Sequence, residues 1–226
     1  MRRRIFAVLF VTWVPLLLLS VIDGTAWSGA AVPFLADVGV HARLLISVPL
    51  LVFAEIIVHR NMRATLPRFV ECELFDSVQR DQYAQAIASA QRWLASVGAE
   101  LVVLGLVVVA CAGALTDALQ GLTPTSLPTD AWHSNLQDGR RALTPAGWWA
   151  ALVSLPLAQF LLLRWYFRLV VWWQLLWRVG RVGPRLQALH PDRMGGLGFM
   201  SRLSLSFTPL LLAQGAMVSG VMANQI

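Results

Sequence analysis

Between Arg178 and Arg202 the chain reads RVGRVGPRLQALHPDRMGGLGFMSR, a stretch dense in groups that could hold an anion. Gly195, Gly196 and Gly198 permit a sharp backbone turn, and such a turn can aim several N–H groups at one oxyanion. Arg193 and Arg202 would add guanidinium donors, and His190 or Asp192 could act as acid or base. A lipid phosphate or a substrate headgroup is the anion this pattern suits. The competing reading is a tight turn in which Asp192 and Arg193 cap or pair locally. It is no P-loop or dinucleotide fingerprint: the glycine spacing differs and no strand precedes it.

A second set of candidates is charged residues in apolar runs. Arg164 and Arg168 lie one helical turn apart, about 24 and 30 Å along a helix from Trp148, at the inner edge of a ~30 Å hydrocarbon layer. They can snorkel to headgroups beside a belt of Trp165, Tyr166, Trp172 and Trp173. Alternatively they meet Glu55, which sits at the same depth near the end of another run. Glu55 also has His59 four residues on as an intrahelical partner. Weaker candidates are the carboxylates of Glu71, Glu73 and Asp76, and the loop residues Asp130, His133 and Asp138. Neither set has metal-ligand spacing, so no metal and no cofactor is expected. Cys72 and Cys111 fall in different environments, which excludes a predicted disulfide.

The elements that must position these residues are apolar. Of 226 residues 57% are hydrophobic and 13% charged, half the charge of a soluble domain, with ten tryptophans. Five runs, 5–22, 38–58, 99–117, 148–175 and 203–226, suit helical crossings of a bilayer. The predicted fold is therefore all-α, a polytopic transmembrane bundle of about five spans. The first run exceeds the core of a signal peptide, so a retained helix kinked at Pro15 is expected. All eighteen basic residues are arginine. With a cytoplasmic amino terminus, thirteen fall on inner segments, three on outer segments and two in the fourth run. That bias accounts for the net charge of +6 as a sidedness signal of a bacterial inner-membrane protein, without nucleic acid.

Between the second and third spans, 67–98 is expected to form a cytoplasmic amphipathic helical hairpin. Tyr83, Ile87, Ala90, Leu94 and Val97 recur at helical spacing and would face the span ends, a second copy or the membrane. The outer loop 118–147 is rich in Thr, Pro, Gly and Ser, with a short helix expected at Trp132. A cytoplasmic Gly-rich turn, 178–202, follows the fourth span, and within it His190-Pro191 is expected to break the extended helix. Gly105 and Gly113 in the third span, and Ala216 and Gly220 in the fifth, are candidate close-packing points.

The segment His190-Pro191-Asp192-Arg193-Met194-Gly195-Gly196-Leu197-Gly198-Phe199 resembles an HPDR-x-GGLGF signature of uncharacterised bacterial polytopic membrane proteins. The resemblance implies a multi-pass fold and carries no activity. Such proteins continue past the span after the motif, which implies that this chain is a fragment of a longer protein. Three functions stay open: a transport or channel component, which is preferred; a membrane-bound enzyme or binding module for a lipid phosphate headgroup; and a non-catalytic scaffold subunit. No nucleophile–base pair is evident, so no catalytic residue is assigned. The expected partners are the bilayer, including anionic lipid, and a second copy or another membrane protein.

Overall fold

The computed structural model describes residues 2–72, 74–120, 131–137, 140–186, 191 and 193–224. The side chains of Arg2, Arg4, residues 117–120, Leu136, Gln137, Arg140, Arg141 and Arg202 are outside that description. The chain is mostly helical, and five helices are long and apolar enough to cross a membrane: Ile5–Ile22, Val38–Glu71, Val97–Thr116, Pro145–Val182 and Leu203–Ala223.

In chain order the elements are α1 (Arg2–Thr12), α2 (Val14–Ile22), α3 (Val38–His41), a π-helical turn Ala42–Ser47, and α4 (Val48–Thr65). There follow α5 (Arg68–Glu71), α6 (Ser77–Leu94) and α7 (Val97–Gln120), then an antiparallel hairpin of β1 (Ser134–Gln137) and β2 (Arg140–Leu143). The remainder is α8 (Pro145–Trp149), a second π-helical turn Ala150–Ser154, α9 (Leu155–Val182), α10 (Met200–Leu205) and α11 (Thr208–Ala223).

The distortions in the apolar helices share a local cause. In four of the five runs a serine or threonine precedes a proline by two or three residues: Thr12 and Pro15, Ser47 and Pro49, Ser154 and Pro156, Ser206 and Pro209. Proline has no N–H and leaves the carbonyl four residues back without its helical donor. The break between α1 and α2, both π-helical turns and the break between α10 and α11 fall at these four places. All four hydroxyl residues are buried and bonded to replacement partners. Pro15 frees the Val11 carbonyl, which accepts from Trp149 Nε1 at 3.1 Å, while the adjacent Thr12 carbonyl accepts from Ser154 Oγ at 2.7 Å. Ser47 Oγ lies 2.7 Å from the Ala213 carbonyl, and Ser206 Oγ accepts from Asn61 Nδ2 at 2.7 Å. The third run has no proline, and α7 is uninterrupted over 24 residues.

The chain forms two compact units. The first, Met1–Val52, Leu104–Leu162 and Leu212–Ile226, has a core of Leu16, Phe34, Leu44, Val48, Trp132 and Ala146. Asp37 organises one end of it. Its carboxylate caps α3 by accepting from Val40 N at 3.0 Å, and also accepts from Trp132 Nε1 at 2.9 Å and Asn224 Nδ2 at 2.7 Å. Trp132 is not helical as expected. Its N–H donates to the Val32 carbonyl and its own carbonyl accepts from Thr144, so the segment turns directly into β1. Gly220 packs on α3, where a β-carbon would come within 2.7 Å of Ala42 Cβ. The close-packing role expected of Gly105 and Gly113 is not seen: nothing lies within 4 Å of a β-carbon placed at either.

The second unit, Phe53–Val103 and Leu163–Leu211, is built on Phe69, Leu74, Phe75, Tyr83, Leu175, Val179 and Phe199. The segment 67–98, expected as a helical hairpin, consists of the short α5 and the longer α6, and Val97 already opens α7. Asp76 starts α6 with a capping box, accepting from Gln79 N at 2.9 Å while its own N–H donates to Gln79 Oε1 at 3.0 Å. Tyr83, Ala86, Ile87 and Ala90 face the core, but Leu94 and Val97 are 44% and 70% exposed because α6 ends at Ala95 and Val97 opens α7. The fourth helix also ends earlier than expected, before His190-Pro191. Gly183, at φ 73°, supplies the left-handed residue that stops it, and Pro184 follows. Gln79 Nε2 caps the freed carbonyls of Val182 and Gly183 at 3.1 Å each, and Arg185 N donates to the Leu74 carbonyl at 2.8 Å.

Candidate functional site

The second unit brings four opposite charges together on three apolar helices. Glu55 projects from α4, Glu100 from the first turn of α7, and Arg164 and Arg168 from α9, where their four-residue spacing puts both on one face. Arg168 Nη2 donates to Glu55 Oε1 at 2.5 Å. Arg164 Nη2 lies 3.7 Å from the same oxygen and 3.4 Å from Glu100 Oε1, so one guanidinium spans two carboxylates. Trp165, nearly fully buried, backs the site with its ring 5.5 Å from the Arg168 guanidinium. Among the described residues the ion pairs of Glu55 are with these two arginines, not with His59.

The geometry constrains the chemistry. The cluster is neutral as a whole, with two acids and two bases. Glu55 Oε1 accepts a charge-assisted bond from Arg168 and faces Arg164 across a longer ion pair. The cluster's side chains are 27% to 52% exposed. Among the described residues no three His, Cys, Asp or Glu side chains lie together as a metal ion would require.

The Gly-rich stretch makes a tight reversal. Arg193, Gly195 and Gly196 take φ of 55°, 66° and 93°, and the reversal that follows drives Phe199 into the core, where its ring meets Phe69 edge-on at 4.9 Å. Leu197 N donates to the Met194 carbonyl and Met200 N to the Leu197 carbonyl, so these groups are spent on the turn itself. Arg193 is exposed, and Gly198 accepts from Ser201 Oγ at 2.8 Å. His190 and Asp192 lie outside the described residues, as does the side chain of Arg202. Of the weaker carboxylate candidates, Asp76 is an N-cap paired with Arg185 at 3.3 Å, Glu71 is exposed, and Glu73 is outside the description. Asp130 and Asp138 are outside it as well, and His133 alone remains of that loop set.

Glu100 was not among the residues singled out as a site. Its signal lay in depth: it opens the third run on the side where the fourth run carries Arg164. The inner aromatic belt also needs revision. Trp165 is buried and Trp172 packs on the core, whereas Trp173 and Trp177 are exposed.

No family model, no curated protein and no solved structure matches the chain. The fold defines the class: five helices suited to a multi-pass membrane protein, one of its units carrying an interhelical charge cluster.

Proposed function

We propose that the protein is a multi-pass protein of the bacterial inner membrane, amino terminus in the cytoplasm, and serves as a component of a transport or channel system. The observation that carries this reading is the sharing of four charges by three apolar helices. Ionisable groups in spans are costly in lipid and collect where ions or polar substrates pass. Because Arg164 already touches both Glu55 and Glu100, loss of the Arg168–Glu55 bond leaves both carboxylates facing Arg164 and leaves Arg168 over the Trp165 ring. Partner exchange of that kind is a low-cost gate at the inner membrane boundary. The orientation rests on arginine distribution: with the amino terminus in the cytoplasm thirteen of eighteen fall on inner segments and three on outer ones.

The test is flux through proteoliposomes of the purified chain, with potassium, chloride and proton gradients and a small organic anion. Flux in the wild type that changes about tenfold or more in Glu55→Gln supports the gate. A wild type silent to all four overturns it. That result would favour a scaffold, for which one observation speaks: each cluster charge is already satisfied within the chain.

A further inference from the structure

The outward face of α9 carries a graded stripe. Tyr166, Val170, Trp173, Trp177 and Arg181 follow one another at intervals of four, three, four and four, which places them on one line along the helix. They are exposed, Trp173 by 64% and Trp177 by 56%, while Val171, Leu175 and Val179 turn into the protein. Two tryptophans left uncovered on a helix whose other face is packed call for an occupant. The stripe changes character over about 22 Å, from apolar through aromatic to cationic. The rings of Trp173 and Trp177 lie 6.0 Å apart, and the Arg181 guanidinium sits 5.4 Å from the Trp177 centroid. Helical side chains lean toward the amino end of their helix, so that guanidinium returns to the depth of the tryptophan. Among the described residues no carboxylate lies within ion-pair reach of Arg181, unlike Arg164, Arg168 and Arg185.

We infer that this stripe docks an anionic phospholipid of the inner leaflet, with acyl chains along Tyr166 and Val170, the glycerol region against Trp173 and Trp177, and the phosphate on Arg181. The occupant must be amphiphilic, because one end of the stripe is apolar, and anionic, because the other ends in Arg181 with Arg178 and Arg185 exposed nearby in sequence. Depth agrees: Trp173 and Trp177 follow Arg168 by about 7 and 13 Å, which carries them from the edge of the hydrocarbon into the headgroup layer. The inference rests on the membrane placement above, not on the gate.

The experiment uses the full chain in nanodiscs of phosphatidylcholine and phosphatidylglycerol, with retained lipid counted by native mass spectrometry after transfer to detergent. The wild type is expected to retain phosphatidylglycerol preferentially, and Arg181→Gln to lower that preference about fivefold. Trp177→Ala, which removes an exposed ring and no core contact, lowers it as well, and Arg193→Gln leaves it unchanged. An unchanged ratio in Arg181→Gln overturns the inference. So does a loss confined to Arg193→Gln, which would move the headgroup to the Gly-rich turn, and so does full competition by inorganic phosphate, which would make the ligand a free anion. Release of the chain from vesicles by carbonate would overturn the membrane placement and this docking face together. A wild type without flux that keeps the lipid preference leaves the docking face standing and removes the gate.

Discussion

The two units solve the same problem with different groups. In Met1–Val52, Leu104–Leu162 and Leu212–Ile226 the described contacts between helices are neutral: an indole donates to the Val11 carbonyl freed by Pro15, hydroxyls donate to other backbone carbonyls, and the buried carboxylate of Asp37 is met by an amide, an indole and a backbone N–H. In Phe53–Val103 and Leu163–Leu211 neutral bonds such as Asn61–Ser206 are joined by ion pairs, with Glu55, Glu100 and Asp76 each facing an arginine. Neutral bonds are short-ranged and keep their strength as salt rises, whereas half-exposed ion pairs weaken and exchange. The first unit is therefore read as fixed and the second as adjustable.

Removing an ionic partner breaks that contrast most strongly. Arg168→Ala leaves Glu55 to Arg164 at the longer distance and strips the cation from Trp165. A half-buried pair lies between the ~0.2–1 kcal/mol of surface pairs and the ~3–5 kcal/mol of buried ones, so a loss of about 2 kcal/mol is expected. Thermal unfolding in detergent should show it, shrinking as salt is raised from 50 to 500 mM. A loss independent of salt would mean that packing on Trp165, not charge, is what Arg168 supplies.

The neutral unit gives the converse. Ser154→Ala leaves the Thr12 carbonyl buried without its donor beside a proline break, at a cost of about 1–2 kcal/mol that salt should not change. If Ser154→Ala proves as salt-sensitive as Arg168→Ala, the distinction between the units fails.

These two sets of contacts differ in how far sequence discloses them. The five apolar runs, and the meeting of Glu55 with the arginines of the fourth, follow from hydropathy and depth, because lipid thickness fixes which residues share a level. The hydroxyl–proline pairs are equally plain in the sequence, yet which carbonyl each hydroxyl would reach depends on helix neighbours that periodicity does not name. The α6 stripe was misphased beyond Ala90 because the apolar spacing runs on through a helix end that Ala95 makes by conformation alone. For the Gly-rich stretch, composition reads alike for an anion cradle and for a turn. The position of Phe199 shows the turn.

A smaller effect, confined to the ionic unit, comes from its one buried phenol. Tyr83 OH donates to the Leu66 carbonyl at 2.7 Å, and burial pushes the phenol well above its ordinary value near 10. The unfolded chain then releases the tyrosine proton at lower pH than the folded one, so its contribution is complete below about pH 10 and declines as pH rises beyond it. Tyr83→Phe should cost about 1 kcal/mol at neutral pH through the lost bond and flatten the alkaline decline. An unchanged alkaline slope in Tyr83→Phe would transfer the titration to another group.

The smallest expected effect lies on α7, the one apolar helix without a proline. Gly105 and Gly113 have open space where a β-carbon would go, and Leu101, Val102, Val108 and Val109 are exposed beside them. If nothing packs on this face but lipid, Gly105→Ala substitutes a better helix former without a clash and should leave stability equal or raise it by up to about 1 kcal/mol. A second copy seated on the glycines would reverse the sign, because the methyl would hold the two backbones apart. Unfolding of Gly105→Ala together with crosslinking in nanodiscs decides it: stabilisation with no change in the crosslinked fraction assigns the face to lipid, and destabilisation with loss of a crosslinked dimer makes α7 the contact between copies.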